Sequence, residues 1–222
     1  KSGHIDDMTR MMLSKIVHVH LPSTKISEKR LLKLGEQKFR VFNVGAPQLD
    51  DINYNKIIKN KYVKINNELF SLKKEKYIIL IQHPVFADRK NYKSIFLKTL
   101  NACLKFNLKT ILIYPNYDPG YKEIIKIISN KKIKNKKLLV LKNLERKTFL
   151  NLLANSKCLV GNSSCGILEA PSLKIGVINI GDRQDGREKN KNIIDCGYSD
   201  KEIFNKINYV LKNKNFARNL KS

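Results

Sequence analysis

The residues best suited to chemistry lie in one stretch, residues 160–171, with the sequence VGNSSCGILEAP. An apolar run ends at Gly161, small polar residues follow, and a helical pattern begins at Cys165. This order is typical of a strand, a tight turn and a helix N-terminus. The turn supplies the hydroxyls of Ser163 and Ser164, free backbone N–H groups and the positive end of a helix dipole, a combination that binds phosphate.

Three further side chains could extend this turn into a site for a nucleotide diphosphate. Glu169 lies about one and a half turns into the predicted helix, where its carboxylate could accept hydrogen bonds from a ribose. Arg183 lies in a Gly-flanked loop of a lysine-rich chain, and its guanidinium fork suits a pyrophosphate better than a lysine does. His83 follows an apolar strand and could donate to a phosphate or act as a general acid.

Each candidate also has a structural explanation. His83 could be an ordinary strand-end histidine, and Glu169 an ordinary acid near the start of a helix. Asn116 and Asp118 lie in a turn sequence, where they could be turn formers or ligand contacts. Cys165 could be an activated nucleophile at a helix start. Because no histidine lies near it in the sequence, a small residue that fills the turn is the better interpretation.

Metals and common cofactors are not indicated by the sequence. The chain lacks both the G-x-G-x-x-G pattern and the Walker A sequence, and it misses the G-x-S-x-G pattern by one position. His18 and His20 share one face of a predicted strand, but no third ligand follows at a useful spacing, so we expect no metal site. The four cysteines show no C-x-x-C spacing, which favours a reduced, cytoplasmic protein.

The formal net charge of +25 and the pI near 9.9 invite a nucleic-acid interpretation. The excess is mostly lysine, which is spread evenly and accompanied by much isoleucine and asparagine, as a proteome-wide bias would produce. The sequence has no arginine-rich arm and no basic ribbon interleaved with aromatic residues, so we expect no nucleic-acid partner. No apolar run approaches a membrane span and the start is not a signal peptide, so we expect no membrane association.

Alternating apolar runs and helical patterns must position the candidate residues. The run at residues 77–81 is continuous and largely β-branched, as expected of a parallel strand buried on both faces. Strands and helices alternate from there onward, which predicts an α/β fold with a doubly wound parallel sheet. The predicted strands are residues 77–81, 110–114, 137–141, 158–160 and 177–180, and the predicted helices are residues 91–106, 121–129, 146–154, 165–173 and 200–211.

The first third of the chain is less regular. Residues 49–76 predict short helices broken by Asn and Lys clusters, which we interpret as a connection between half-domains. Before them, the predicted helices are residues 5–15 and 27–34, and the predicted strands are residues 17–21 and 40–44.

Polar, turn-forming segments follow four of the predicted strands. Ligands of parallel α/β sheets bind outside the carboxyl ends of the strands, so these segments should share one rim. Their convergence predicts a single site built from residues 82–84, 115–120, 161–164 and 181–187.

Taken together, these motifs resemble one family, the UDP-N-acetylglucosamine 2-epimerases, and within it the hydrolysing branch. The resemblance covers nearly the whole chain. Its signature segments are GNSSCG at 161–166, EAP at 169–171, NIGDRQ at 179–184 and GR at 186–187. Further segments fall in the family's order and spacing: IDD at 5–7 with Arg10, FNVGAP at 42–47, QHPV at 82–85 and YPNYDPG at 114–120.

The resemblance implies a glycosyltransferase-B-like enzyme, with Rossmann-like parallel sheets in two domains and its site in the cleft between them. Residues 1–50 would be the C-terminal remnant of the N-terminal domain, and residues 51–76 a connection. Residues 77–222 would be a C-terminal UDP-binding domain, truncated at its end. Because most of the first domain would precede this chain, we expect the chain alone to be inactive. We expect the full-length enzyme to be a homo-oligomer.

The resemblance also implies roles for individual residues. Asp6 would do acid/base work, and His83 would contact the diphosphate and help it leave. The chain departs from the family at three positions. It has Met11 where the family usually has His, Gly176 where Pro is usual and Phe86 where Thr is common. The implied UDP contacts are Ser163, Ser164 and Arg183 at the phosphates, Glu169 at the ribose, Leu144 and Phe149 beside the uracil, and Asn116 in the cleft.

The implied reaction begins with anti elimination of UDP from UDP-N-acetylglucosamine to give 2-acetamidoglucal. Syn addition of water then gives N-acetylmannosamine, for sialic or related nonulosonic acid synthesis. This chemistry requires no metal or redox cofactor. The alternatives are a hydrolysing 2-epimerase of UDP-2,4-diacetamido-2,4,6-trideoxyglucose, a non-hydrolysing 2-epimerase, a glycosyltransferase of the same architecture and, from a different class, a basic nucleic-acid-binding protein.

Overall fold

The computed structural model describes residues 5–85 and 91–220, apart from the side chains of residues 5–7 and 131–134. The chain divides into two compact units, Lys1–Asp51 and Ile52–Ser222. The larger unit holds a parallel sheet, and the smaller unit consists of helices and short links.

The smaller unit is built on two helices, α1 (Ile5–Ile16) and α2 (Lys25–Lys33). Thr24 caps α2, because its side-chain oxygen accepts a hydrogen bond from the Ser27 N–H at 3.1 Å. Both helices agree with the sequence pattern to within a few residues. Two 3₁₀ turns follow them, Lys38–Arg40 and Pro47–Leu49.

The strands predicted at residues 17–21 and 40–44 are wrong, since the only strand-like pairing between these two described segments is one isolated parallel bridge between His20 and Val41. The alternation of the first segment does not correspond to a buried strand face. Val19 and Leu21 are 53% and 62% exposed, whereas His20 is buried and its Nε2 lies 3.2 Å from a carboxylate oxygen of the buried Glu36. In this segment the polar side chain is therefore buried and the apolar ones are exposed.

Glu36 is also the partner of two basic side chains. Lys15 Nζ donates to one of its oxygens at 2.7 Å, and Arg40 donates to the other. The hydrogen bond from Lys15 is the largest cause that holds the pKa of the Glu36 carboxyl below its usual value, although burial opposes it. His20 thus has a structural partner.

A β-hairpin occupies the segment for which short helices were expected. A single helix turn, α3 (Tyr54–Ile57), precedes strands β1 (Tyr62–Ile65) and β2 (Glu68–Ser71), which pair antiparallel. Asn66 and Asn67 both have positive φ, 49° and 68°, which is the backbone of a type I′ hairpin turn. Asparagine tolerates this region better than most residues, so the turn forms without the usual glycine.

The larger unit contains the predicted parallel α/β sheet, with strand order β5-β4-β3-β6-β7-β8 and every pair parallel. Strand β3 is buried at every residue, as its apolar sequence requires. The sequence missed β8, because this edge strand is only partly buried and carries Asp195. The strands are β3 (Tyr77–Ile81), β4 (Lys109–Ile113), β5 (Leu138–Leu141), β6 (Leu159–Gly161), β7 (Val177–Ile180) and β8 (Ile193–Cys196).

Helices cover both faces of the sheet. The helices are α4 (Tyr92–Leu104), α5 (Tyr121–Lys134), α6 (Arg146–Asn155), α7 (Glu169–Ser172), α8 (Asp200–Lys212) and α9 (Lys214–Asn219). One apolar cluster packs the hairpin, α6 and α7 against one face of the sheet. Another packs α4, α5 and α8 against the other face.

The helix predicted at residues 165–173 is interrupted. A 3₁₀ turn, Ser164–Gly166, comes first, and α7 begins only at Glu169. Pro171 explains the break, because it has no N–H to donate and its ring would clash with the carbonyl of residue 167 in a longer helix. Any anion affinity of this segment therefore comes from hydroxyls and N–H groups rather than from a long helix dipole.

Gly161 allows β3 and β6 to meet. Its φ is +128°, and a Cβ built on it would lie 1.9 Å from the Ile81 carbonyl oxygen. No other residue fits this backbone without displacing one of the two strands. The junction therefore depends on a glycine at this position.

We predict that Gly161→Ala lowers the free energy of unfolding by about 3 kcal/mol or more, because a backbone atom must move. Gly186→Ala is the matched control: its φ is +74°, but no atom lies within 4 Å of the built Cβ. Backbone strain alone should cost the control roughly 1 kcal/mol. Urea unfolding followed by circular dichroism measures both, and equal losses would contradict the proposed close contact.

Candidate functional site

The candidate site lies at the carboxyl ends of β3 and β6, which are neighbours in the sheet. The strand order runs from β3 toward β5 on one side and from β6 toward β8 on the other, so the winding direction reverses here. Crevices at such a reversal are the usual ligand sites of open α/β sheets. His83 follows β3 and Ser163 follows β6, so both predicted residues lie at this point.

His83 is buried and held as a neutral imidazole. Its Nδ1 accepts a hydrogen bond from the Asn116 N–H at 2.9 Å, so the ring proton lies on Nε2. Burial, with a smaller contribution from the positive charge of Arg183, lowers the pKa of His83 to about 3. At neutral pH the ring can therefore donate one hydrogen bond from Nε2 without carrying a charge.

Asn116 acts on His83 through its backbone. The Asn116 side chain, which was predicted as a cleft contact, is exposed. Asp118, two residues on, places a carboxylate oxygen 3.9 Å from Arg183 Nη2. The loop after β4 thus contributes an N–H to one candidate residue and a counter-charge to another.

Asn162 joins the two central strand ends, a role that the sequence did not reveal. Its Oδ1 accepts from the His83 N–H at 2.7 Å, and its Nδ2 donates to the His83 carbonyl at 3.0 Å. Asn162 was visible in the turn sequence, but its residue type is also typical of an exposed turn. The clue that distinguishes the two cases is burial, which a single sequence does not show.

Arg183 approaches the same point from the loop after β7. Its Nη1 donates to the Asn162 carbonyl at 3.1 Å, and the neighbouring Gln184 Nε2 donates to the same oxygen at 2.8 Å. The Arg183 side chain is only 12% exposed, so water screens its charge weakly. Arg183 and His83 are thus both hydrogen-bonded to Asn162, Arg183 to its carbonyl and His83 to its side chain.

The serine turn presents its hydroxyls beside this group. Ser163 and Ser164 are half-buried, and Cys165 donates its S–H to Ser163 Oγ at 3.2 Å. Because Ser163 Oγ accepts that bond, its own hydroxyl proton is available to a ligand. Burial raises the pKa of the Cys165 thiol to about 12, so Cys165 is a neutral thiol rather than a nucleophile.

Glu169 is the first residue of α7 and not one and a half turns into a helix. Its Oε1 lies 3.3 Å from Arg146 Nη1. Its Oε2 is buried and has no hydrogen-bond partner among the described residues. Burying a carboxylate oxygen without a hydrogen-bond partner costs free energy, and a ligand hydroxyl could donate the missing hydrogen bond.

The two residues predicted beside a uracil lie near the start of α6. Leu144 precedes the helix and Phe149 lies within it, and both are half-buried against the apolar cluster on that face of the sheet. Asp6 lies in the first turn of α1, in the smaller unit, and its side chain is outside the described part of the chain. Phe86 is likewise outside the described residues.

The described residues contain no group of three or more His, Cys, Asp or Glu side chains that could hold a metal ion. Across residues 5–85 and 91–220, no helix is both long and apolar enough to cross a membrane. What the site does offer is a neutral N–H donor, a weakly screened guanidinium and a hydroxyl, all on residues at one strand junction. That set can bind a diphosphate and stabilise charge that develops on it.

Solved structures share this fold. A UDP-GlcNAc 2-epimerase from Neisseria meningitidis, bound to UDP-GlcNAc, superposes with a TM-score of 0.72 at 16% identity, covering 99% of this chain and 60% of that one. The Methanocaldococcus jannaschii UDP-GlcNAc 2-epimerase, in complex with UDP-GlcNAc and UDP, gives 0.66 at 20% identity, over 90% of this chain and 56% of that one. These likenesses show a glycosyltransferase-B-like α/β fold.

Curated relatives are closer in sequence. UDP-N,N′-diacetylbacillosamine 2-epimerase (hydrolyzing) from Legionella pneumophila is 37% identical over 196 residues, which is 88% of this chain and 51% of the relative. GDP/UDP-N,N′-diacetylbacillosamine 2-epimerase (hydrolyzing) from Campylobacter jejuni is 38% identical over 222 residues, which is 98% of this chain and 56% of the relative. UDP-N-acetylglucosamine 2-epimerase from Neisseria meningitidis is 33% identical over 209 residues, which is 93% of this chain and 53% of the relative.

The chain therefore spans about half the length of the curated relatives that it matches. The family model described as UDP-N-acetylglucosamine 2-epimerase matches residues 1–222. With the relatives, the shared fold and the strand-junction geometry in agreement, the chain belongs to the UDP-N-acetylglucosamine 2-epimerase family.

Proposed function

We propose that the complete protein is a hydrolysing UDP-sugar 2-epimerase, and that the junction of β3 and β6 binds the diphosphate that leaves. The observation that carries this proposal is the convergence of His83, Ser163 and Arg183 on one strand junction. Two relatives of similar sequence are named as hydrolysing 2-epimerases, which supports the same chemistry.

The reaction proposed is the elimination of UDP followed by hydration. A base removes the C2 proton, the C2–H electron pair forms the C1=C2 double bond, and the C1–O bond breaks with its electrons going to UDP. From UDP-N-acetylglucosamine this gives 2-acetamidoglucal, and addition of water gives N-acetylmannosamine. The acid/base group that we propose on this chain is Asp6, on the resemblance alone.

The role proposed for the site is to stabilise the leaving diphosphate. Negative charge grows on the phosphate oxygen as the C1–O bond breaks, and fixed donors aimed at that oxygen lower the barrier. His83 Nε2–H, the Arg183 guanidinium and the hydroxyls of Ser163 and Ser164 are the donors that we assign. A neutral imidazole has no proton to release easily, so we assign His83 a hydrogen bond rather than general acid catalysis.

The nucleoside would lie toward α6 and α7. Glu169 Oε2 would accept hydrogen bonds from the ribose, since it is buried without a hydrogen-bond partner in the described part of the chain. Leu144 and Phe149 would lie beside the uracil, with Asn116 at the edge of the cleft.

A second substrate has its own support. The relatives at 37% and 38% identity are named for diacetylbacillosamine nucleotides, whereas the relative at 33% is named for UDP-N-acetylglucosamine. A 2,4-diacetamido sugar is therefore the alternative substrate. The chemistry at C1 and C2 would be the same.

The wider setting is also proposed. Residues 1–50 would be the C-terminal part of the first domain, and residues 51–76 would connect it to the second. Residues 77–222 would form the UDP-binding domain. We propose a cytoplasmic homo-oligomer that supplies sialic or related nonulosonic acid synthesis and has no nucleic-acid partner. Retention on DNA that UDP does not displace would favour the basic-protein alternative instead.

The function is tested by incubating the complete protein separately with UDP-N-acetylglucosamine and with its 2,4-diacetamido-6-deoxy counterpart, followed by proton NMR. We expect UDP and the free 2-epimeric sugar from one of them, with deuterium from D₂O at C2. A UDP-linked epimer without free sugar would indicate the non-hydrolysing reaction. No change in either substrate would contradict the proposal.

The diphosphate assignment predicts that Ser163→Ala combined with Arg183→Ala weakens UDP binding by roughly 100-fold, because a charged and a neutral hydrogen bond are lost. Isothermal titration calorimetry measures the affinity. Lys191→Ala is the control, since it removes one positive charge from an exposed side chain in the segment that follows Arg183. Unchanged affinity in the double variant would remove Ser163 and Arg183 from the site.

The protonation state of His83 can be read from its ring ¹⁵N shifts. Folding lowers the pKa of His83 to about 3, so the ring should stay neutral, with its proton on Nε2, from pH 8 down to pH 5. The unfolded chain binds this proton first as pH falls, so the contribution of His83 to stability is present above about pH 6.5 and declines below it. A His83 titration near the ordinary histidine value would disprove this assignment.

A further inference from the structure

Asn162 occupies an unusual place in the larger unit. It is 2% exposed, and both atoms of its side-chain amide are hydrogen-bonded to the backbone of one residue, His83. The Nδ2 donor and the Oδ1 acceptor face the His83 carbonyl and N–H at 3.0 and 2.7 Å. The side chain therefore pairs with His83 much as a neighbouring strand would.

The backbone of Asn162 makes three more connections. Its N–H donates to the Ile81 carbonyl at 3.2 Å, which continues the pairing of β3 and β6. Its carbonyl accepts from Arg183 Nη1 at 3.1 Å and from Gln184 Nε2 at 2.8 Å. One residue thus links the segments that follow β3, β6 and β7.

Only a short primary amide satisfies both sides of this pairing. Aspartate has the same shape but no donor, so it would place a carboxylate oxygen against the His83 carbonyl in a buried site. Glutamine is one methylene longer, and serine cannot reach both backbone groups at once. The residue type is therefore matched to its contacts.

We propose that Asn162 is a positioning residue for the departure of the diphosphate, acting through His83 and Arg183 rather than on the substrate. Its side chain sets the backbone of His83, while the Asn116 N–H sets the ring. Its carbonyl holds the Arg183 guanidinium against the same junction. This inference rests on the function proposed above.

The surroundings of His83 determine what a new charge there would do. In the described part of the chain, Tyr92 of α4 and Tyr198 after β8 line a small cavity with His83 and Asn162. Arg183 supplies the positive charge that His83 senses. A carboxylate in place of the Asn162 amide would oppose that charge and raise the pKa of His83.

The test is Asn162→Asp in the complete enzyme. We expect kcat to fall by about 10- to 100-fold, as for a misplaced catalytic group, while KM changes by less than about threefold. The pH titration of the His83 ring ¹⁵N shifts should give a higher pKa than in the wild type. Wild-type kcat in the folded variant would overturn the proposal.

Asn151→Asp is the matched control. Asn151 is as deeply buried, at 3% exposed, and its amide accepts from Asn60 Nδ2 at 2.6 Å and donates to the Lys147 carbonyl at 2.7 Å. The same exchange of donor for acceptor should destabilise the fold while leaving kcat and the His83 shifts near wild type. If this control lost kcat equally at equal stability, Asn162 would have a structural role only.

Two further arms keep the inference testable. If Asn162→Asp does not fold, Asn162→Ser, which keeps a polar group of smaller size, should show the same loss of kcat relative to KM. If the wild-type enzyme turns over no UDP-sugar, the proposed function fails, and the positioning role is then judged from the His83 shifts alone. An unchanged His83 titration in folded Asn162→Asp would reject it independently of activity.

Discussion

The contact between β3 and β6 is the constraint on which the rest of the site depends. Gly161 lets the two strands approach, since any Cβ would collide with the Ile81 carbonyl. Directly after it, Asn162 extends the pairing by one residue through its side chain. The last backbone positions of both strands are thereby fixed, and side chains from several loops can be held at one point.

This rigidity sets the electrostatics of the site. His83 is buried beside a guanidinium, which keeps its ring neutral and its pKa at about 3. A neutral donor costs less to bury than a charged one. The arrangement therefore combines one weakly screened charge, on Arg183, with neutral donors that need no reorganisation when a leaving group becomes more negative.

Much of the fold was predictable because its signals are local. Buried strands such as β3 are continuous apolar runs, and the turns that follow them are rich in Gly, Pro and Asn, so the shared rim could be predicted as well. The prediction was wrong where tertiary context decides. Residues 17–21 alternate in sequence like a strand, but Val19 and Leu21 are exposed and His20 is buried. Pro171 breaks a helix that periodicity alone would continue.

The candidate site was predictable in its residue types but not in its connections. Ser163, Arg183 and His83 were identified from their place after predicted strands, and the structure brings all three to the junction. Asn162 was missed because its importance comes from bonds to distant residues, and Asn66 and Asn67 were missed because two asparagines rarely form a hairpin turn. The first depends on long-range hydrogen bonds and the second on an unusual backbone conformation, and neither can be read from a single sequence.

The most direct test of the central claim is a crystal structure of the complete protein with UDP. We predict the diphosphate at the ends of β3 and β6, within hydrogen-bond distance of His83 Nε2, the Ser163 hydroxyl and the Arg183 guanidinium, with the ribose at Glu169. Ordered UDP at another place on the sheet, with these side chains bound only to one another, would contradict the account.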